Sequence, residues 1–284
     1  MKKMSRMLAL ALALMCMTVT ALADFDAGRL INVISREEGS GTRSAFVELT
    51  GVEQKIEGKK VDMTTEDAQI TNNTAVMLTT VAGDAYAIGY VSLGSMNDSV
   101  KAVSVEGVEA AAENVANGSY KIARPFNIAY REAAITQLGL DFIDYIMSAE
   151  GQAIVADNGY VALDGADAYA GSKPAGKLVV AGSSSVSPVM EKLAEAYQAL
   201  NPDAEIEIQT SDSTTGMTAA MGGSCEIGMS SRALKDAEAA ELTGVTIAMD
   251  GIAVIVNHEN PTSDLSVEQI GAIYTGDVTN WNEL

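Results

Sequence analysis

The sequence predicts an α/β protein, and three observations carry that reading. Apolar runs of strand length alternate along the chain with stretches of helical periodicity. Three times, a strand-like run passes through a loop of Gly, Ser and Thr into a helix. The chain has 284 residues, which at about 150 residues per domain suggests two lobes.

The first 23 residues stand apart from the fold. Lys2, Lys3 and Arg6 precede an apolar run from Met7 to Val19 and then Ala21-Leu22-Ala23, the pattern of a secretory signal cleaved after Ala23. A membrane anchor would need a longer apolar run, of roughly 20 residues. A lipoprotein signal would acylate Cys16, but Met15 before it is larger than the small residue such sites favour. Cleavage leaves Cys225 as the single cysteine, so no intrachain disulfide is expected.

Beyond the signal, residues 30–34, 85–91, 122–129, 177–180, 205–209 and 252–256 read as strands. Val186, Met190, Leu193, Tyr197 and Leu200 follow one another in steps of four, three, four and three, which sets one apolar stripe on a helix. Further helices are expected over 134–146 and 150–156, and the Gly, Ala, Ser and Pro content of 164–177 reads as a linker. Within it, Gly171-Ser-Lys-Pro-Ala-Gly176-Lys177 imitates a nucleotide-binding P-loop. Leu178 stands where Ser or Thr would hold magnesium, and the segment precedes a strand where such a loop must follow one.

Composition excludes several functions. With 18 basic and 38 acidic side chains the formal charge is −20, and no dense basic patch offsets it, so nucleic acid is not an expected partner. Aromatic content of 5% leaves little for stacking on bases. One histidine and one mature cysteine give no metal-ligand spacing, and Asp164 with Asp167 lacks the rest of a calcium loop. No cofactor is implied. A serine hydrolase or phosphatase would need His258 as its base, yet that residue has no obvious orienting neighbour.

The three polar loops are the informative feature. They are Ala181-Gly-Ser-Ser-Ser-Val186, Ser35-Arg-Glu-Glu-Gly-Ser-Gly-Thr42 and Thr210-Ser-Asp-Ser-Thr-Thr-Gly216. A helix N-terminus exposes unpaired N–H groups and a partial positive charge, glycine admits close approach, and hydroxyls add neutral donors. Any one loop could simply cap its helix. Three together, one with Arg36, point to an oxyanion site.

Val179-Val-Ala-Gly-Ser-Ser-Ser-Val-Ser-Pro-Val-Met-Glu-Lys-Leu193, Asp250-Gly-Ile-Ala-Val-Ile-Val-Asn257, Ile273-Tyr-Thr-Gly-Asp-Val-Thr-Asn-Trp281 and Arg36-Glu-Glu-Gly-Ser-Gly-Thr-Arg43 resemble the phosphate-binding proteins of phosphate ABC transporters. The resemblance covers nearly the whole mature chain. It implies a two-lobed type II periplasmic-binding fold with a ligand cleft between the lobes, in circularly permuted order, because the family normally begins with the segment that here starts near Lys177. It also implies an exported, monomeric, non-enzymatic receptor, in the periplasm or at the outer face of the cytoplasmic membrane, that hands inorganic phosphate to an ABC permease. Sulfate, molybdate and tungstate are the competing oxyanions.

Carried over by motif, Ser184, Ser185 and Ser213 would donate from one lobe, and Arg36, Ser40, Gly41 and Thr42 from the other. Ser231 falls where well-known members place an Asp that accepts the phosphate proton, so Glu38 and Asp212 become the candidate substitutes, Glu38 being also the candidate orienter of Arg36. The order implies one lobe from 24–98 with 258–284 and a continuous lobe from 99–257, with crossings near Asp98 and Asn257. Leu284 and Gly28 would then lie close together.

Overall fold

The computed structural model describes residues 25–284, so the expected signal at 1–23, with Cys16, lies outside the described residues. The strands are β1 (Asn32–Arg36), β2 (Glu53–Ile56), β3 (Lys59–Asp62), β4 (Gln69–Thr71), β5 (Ala87–Ser92), β6 (Lys101–Val105), β7 (Ala123–Tyr130), β8 (Gly176–Ser183), β9 (Ala204–Ser211), β10 (Ile227–Ser230), β11 (Thr243–Val256) and β12 (Asp264–Leu265). The helices are α1 (Gly41–Leu49), α2 (Thr74–Ala82), α3 (Ala112–Ala116), α4 (Gln137–Met147), α5 (Ala149–Asp157), α6 (Ser187–Leu200), α7 (Ser213–Gly222), α8 (Asp236–Ala239) and α9 (Val267–Thr275). No described helix is long and apolar enough to cross a membrane.

β11 organises the molecule. Its first part, Thr243–Gly251, pairs with β7, and its last part, Ile252–Val256, pairs with β5. On one side the sheet continues through β5 to β1 and β4, and on the other through β7 to β10, β8 and β9. Two halves result, each with its own core. Phe126, Ile128, Phe142, Leu193 and Ile247 pack in one, and Phe46, Tyr90, Ile122, Ile252 and Tyr274 in the other. Phe46 stacks on Tyr90 at 4.0 Å between centroids, an aromatic pair contributing about 0.5–1.5 kcal/mol beyond its burial.

The expected lobe boundaries at 98 and 257 do not coincide with this division. β6 pairs with Val254–Val256 of β11, and Val103, Val115 and Ile122 share the core of the half that carries Arg36. Residues 101–122 therefore pack with that half, and the chain passes between the halves at 122–124 and 250–252. The physical reason is that one continuous strand of 14 residues serves both cores, so the crossing falls within β11 and not at its end.

The two ends of the described chain meet. Leu30 and Asn280 form an antiparallel bridge, the Ile31 N–H donates to the Thr279 carbonyl at 2.8 Å, and Asn282 N–H donates to the Ala27 carbonyl at 2.8 Å. At the other end of the molecule the linker 164–175 is held by the buried Asp141 of α4. Its carboxylate accepts from the Ser172 N–H at 2.7 Å, from Tyr197 Oη at 2.7 Å, and from Tyr169 Oη. The P-loop imitation is thus fastened to a carboxylate, the opposite of a phosphate cradle.

Burial works to raise the Asp141 carboxyl, but its donors outweigh burial and hold it below the ordinary value. A depressed carboxyl stabilises the fold above its unfolded pKa, and that contribution is lost as pH falls through the folded value. Asp141→Asn is expected to cost about 1.5–3 kcal/mol at neutral pH. The difference from wild type should shrink in denaturant titrations run at acid pH; an undiminished difference would contradict the charge argument.

Candidate functional site

The three loops converge where the two halves face each other. β1 delivers Arg36 into the interior, 2% exposed, with its backbone N–H donating to Tyr90 Oη at 3.2 Å. Burial pushes the Tyr90 hydroxyl up to about 12, so it stays neutral. The Arg36 carbonyl accepts from Arg43 Nη1 at 2.7 Å, and Arg43 in turn pairs with Asp62 on β3. Ser40 N-caps α1 by accepting from the Arg43 N–H at 3.2 Å. Sequence pattern and local structure agree here: a polar residue ends the loop, and the helix begins at Gly41.

Across the cleft, β8 leads into Ser184 and Ser185, and Asp212 N-caps α7, which starts with Ser213. Arg36 Nη2 donates to Ser184 Oγ at 3.1 Å, and Thr42 Oγ1 lies 2.8 Å from Ser185 Oγ. Ser213 Oγ accepts from the Ser231 N–H at 3.0 Å and lies 3.3 Å from Ser231 Oγ, which is 3.4 Å from Thr42 Oγ1. Arg36, Thr42, Ser184, Ser185, Ser213 and Ser231, all buried, form one hydrogen-bonded cluster through Thr74, whose Oγ1 lies 3.3 Å from Ser184 Oγ and 3.4 Å from Ser185 Oγ. A Cβ added at Gly41 would overlap Ser213 Oγ and lie 2.8 Å from Ser231 Oγ, and one at Gly39 would overlap the Asp212 carboxylate. The halves approach that closely only because these two positions lack side chains.

One expected role passes to a neighbouring residue, and one expected acceptor is engaged elsewhere. Glu38 is exposed, and the carboxylate that orients Arg36 is Glu37, which accepts from Nε at 2.8 Å and from Nη2 at 2.7 Å. The cause is the alternation of side chains after β1: Glu37 folds back along the guanidinium while Glu38 faces solvent. Asp212 is spent on its own helix, accepting from the Thr215 N–H at 2.8 Å and from Thr215 Oγ1 at 2.6 Å. His258 is exposed and touches the Asp98 carbonyl at 2.9 Å, so it does not serve as a base for these serines.

Sequence reasoning missed two participants. Thr74 opens α2, which Asn73 N-caps, and its Oγ1 lies 3.3 Å from Ser184 Oγ and 3.4 Å from Arg36 Nη1. The Asn72-Asn73-Thr74 run before Val76, Met77 and Leu78 was the available signal. Arg124 lies on β7, where no loop announces it. Its Nη1 donates to Thr42 Oγ1 at 3.1 Å and to the Ser231 carbonyl, so one group touches both halves. Its Nη2 meets Asp250 Oδ2 at 3.0 Å, the facing residue on β11.

Burial drives Arg124 below its ordinary value, opposed by Asp250, and the charge of Arg36 acts in the same direction as burial. Burial likewise raises Asp250 to about 6, against the pull of Arg124. Two guanidiniums close enough to disfavour each other, ringed by hydroxyls, make a place where a small anion is strongly favoured. A cleft of about 900 Å³ opens beside Thr74 and Ser184, lined also by Asn72, Ser95 and Glu191.

Residues 17–150 and 167–284 match the family model described as PBP superfamily domain. A phosphate-binding protein PstS 2 of Streptococcus agalactiae serotype V is 53% identical over 256 residues, 89% of this chain and 87% of that protein. The chain belongs to the PstS family of the PBP superfamily. The family fold is confirmed in three dimensions by the crystal structure of a phosphate-binding protein of a phosphate ABC transporter from Streptococcus pneumoniae TIGR4, at TM-score 0.71 and 45% identity, covering 89% of this chain and 99% of that one. The PstS of Bacillus subtilis, by contrast, is 34% identical over only 115 residues, 39% of this chain and 38% of that protein.

Proposed function

We propose that the chain is an exported, monomeric receptor that captures inorganic phosphate between its two lobes and presents it to an ABC permease. The observation that carries this is the convergence of two buried guanidiniums, Arg36 and Arg124, and six hydroxyls on one point between the halves. The names of its relatives agree. They are binding proteins and not enzymes, and the chain performs no chemistry on its ligand. Arg36, Arg124, Thr42, Ser184, Ser185, Ser213 and Ser231 donate to the anion, while Gly41 and the start of α1 supply backbone N–H groups and Ser40 fixes that helix end. The lobes are 25–122 with 252–284, and 123–251. Calorimetric titration of the mature chain should give saturable binding of one phosphate per chain; the absence of heat and of competition would reject the reading.

We also propose that the segment order is permuted relative to the commoner members. The meeting of Leu30 with Asn280 supports it, as does the short match to the Bacillus subtilis protein, which a shared run set in a different order would leave. Moving the first half of that sequence behind its second half should extend the match over most of both chains. A match that stays confined to 115 residues would count against permutation.

A further inference from the structure

We infer that the start of α7 is a closure latch: Thr214 and Asp212 of one half fasten onto Gly39 of the other at the rim of the cleft and set how long the anion stays. The inference rests on reading the cluster as an anion site between two halves that close on it. The first turn of a helix carries backbone donors without partners of its own. In α7 the Thr215 N–H donates to the Asp212 carboxylate at 2.8 Å and the Gly216 N–H to the Asp212 carbonyl at 3.0 Å. The Thr214 N–H crosses to the facing half and donates to the Gly39 carbonyl at 3.1 Å. The positive end of α7 is thus aimed partly at a carbonyl of the other half, while the Ser213 side chain joins the anion cluster.

The fit around Gly39 leaves no slack. A Cβ there would overlap Asp212 Oδ1 and come within 2.5 Å of Cγ and 3.0 Å of Oδ2. That carboxylate is pinned, with Oδ1 on the Thr215 N–H and Oδ2 on Thr215 Oγ1 at 2.6 Å. Gly39 itself is not at positive φ, so alanine suits its own loop and meets its obstacle only across the cleft. On the other side Thr214 is steadied by Arg232, whose Nη2 donates to Thr214 Oγ1 at 3.3 Å and pairs with the buried Glu238. Gly39, Asp212 and Thr214 are only partly buried, which sets their contact at the edge of the cleft, apart from the buried donors. They are positioning residues, acting on the anion through the closeness of the two halves.

The test separates rates from affinity on the full mature chain. In stopped-flow measurements Gly39→Ala should raise the phosphate dissociation rate about tenfold or more and leave association within about twofold of wild type, because changes at one interface act mainly on dissociation. Glycine is a tolerated N-cap, so adding Asp212→Gly removes the obstacle and keeps the helix start. That double variant should return dissociation to within about threefold of wild type, the mark of two residues in contact. In wild type the Thr214 amide should exchange with deuterium at least about tenfold more slowly once phosphate saturates the chain. Unchanged dissociation in Gly39→Ala, a double variant as fast as the single one, or a Thr214 amide indifferent to phosphate would each overturn the latch. Should Gly39→Ala fail to fold, the Thr214 exchange decides alone. Wild-type protein that binds no phosphate would instead reject the anion-site reading on which the inference stands.

Discussion

Arg36→Ala is expected to weaken phosphate binding by about 3–5 kcal/mol, the scale for removing one partner of a buried charge pair. At roughly 1.4 kcal/mol per tenfold, that is a loss of at least a hundredfold. Two effects add. The guanidinium that reaches Ser184 and Thr74 is lost, and Glu37, which had both oxygens on Arg36, is left as an uncompensated negative charge beside the anion. Arg36→Ala combined with Glu37→Gln should therefore recover part of the affinity. Calorimetry reads the affinities, and a thermal melt shows that each variant is folded. Wild-type affinity in folded Arg36→Ala would remove β1 from the site.

Arg124→Ala is expected to lower stability by about 3–5 kcal/mol and to abolish measurable binding. Asp250 would remain buried with Oδ2 bare, and Thr42 and the Ser231 carbonyl would lose the donor that joins the halves. Stability and binding can be separated, because replacing both members of a buried pair by apolar groups is often neutral. Arg124→Met with Asp250→Leu should regain most of the lost stability in urea titrations, yet bind phosphate at least about a hundredfold more weakly than wild type, for want of a charge-assisted donor. If the double variant binds like wild type, Arg124 only fastens β7 to β11.

Strands β1, β5, β7, β8 and β9, with helix α6, were legible to within a few residues because each combines an apolar run with a polar boundary. β11 was legible only in its last five residues. Gly244, Asp250 and Gly251 read as turn formers, and their place in a strand is set by pairing with β7, which no local pattern records. That one omission displaced the lobe boundaries. The exposed hairpin of β2 and β3 was missed for a related reason, since its side chains bury almost nothing and carry no alternation.

The loop donors were legible because a Gly/Ser/Thr run before a helix has a physical meaning in itself. Arg124 was not, since an arginine within a strand reads as an exposed or edge residue until the sheet partner, Asp250, is known. Glu37 and Glu38 differ by one position, and only the direction of the chain leaving β1 decides which of them folds back on Arg36.

In the proposed binding mode one anion is held by groups of both halves at once. A crystal structure of the mature chain grown with phosphate tests it directly. The anion should lie within hydrogen-bond distance of Arg36, Arg124 and Thr42 and of Ser184 and Ser213, with Arg124 still on Asp250. Phosphate bound to the loops of one half alone, or anywhere outside this cluster, would contradict the account.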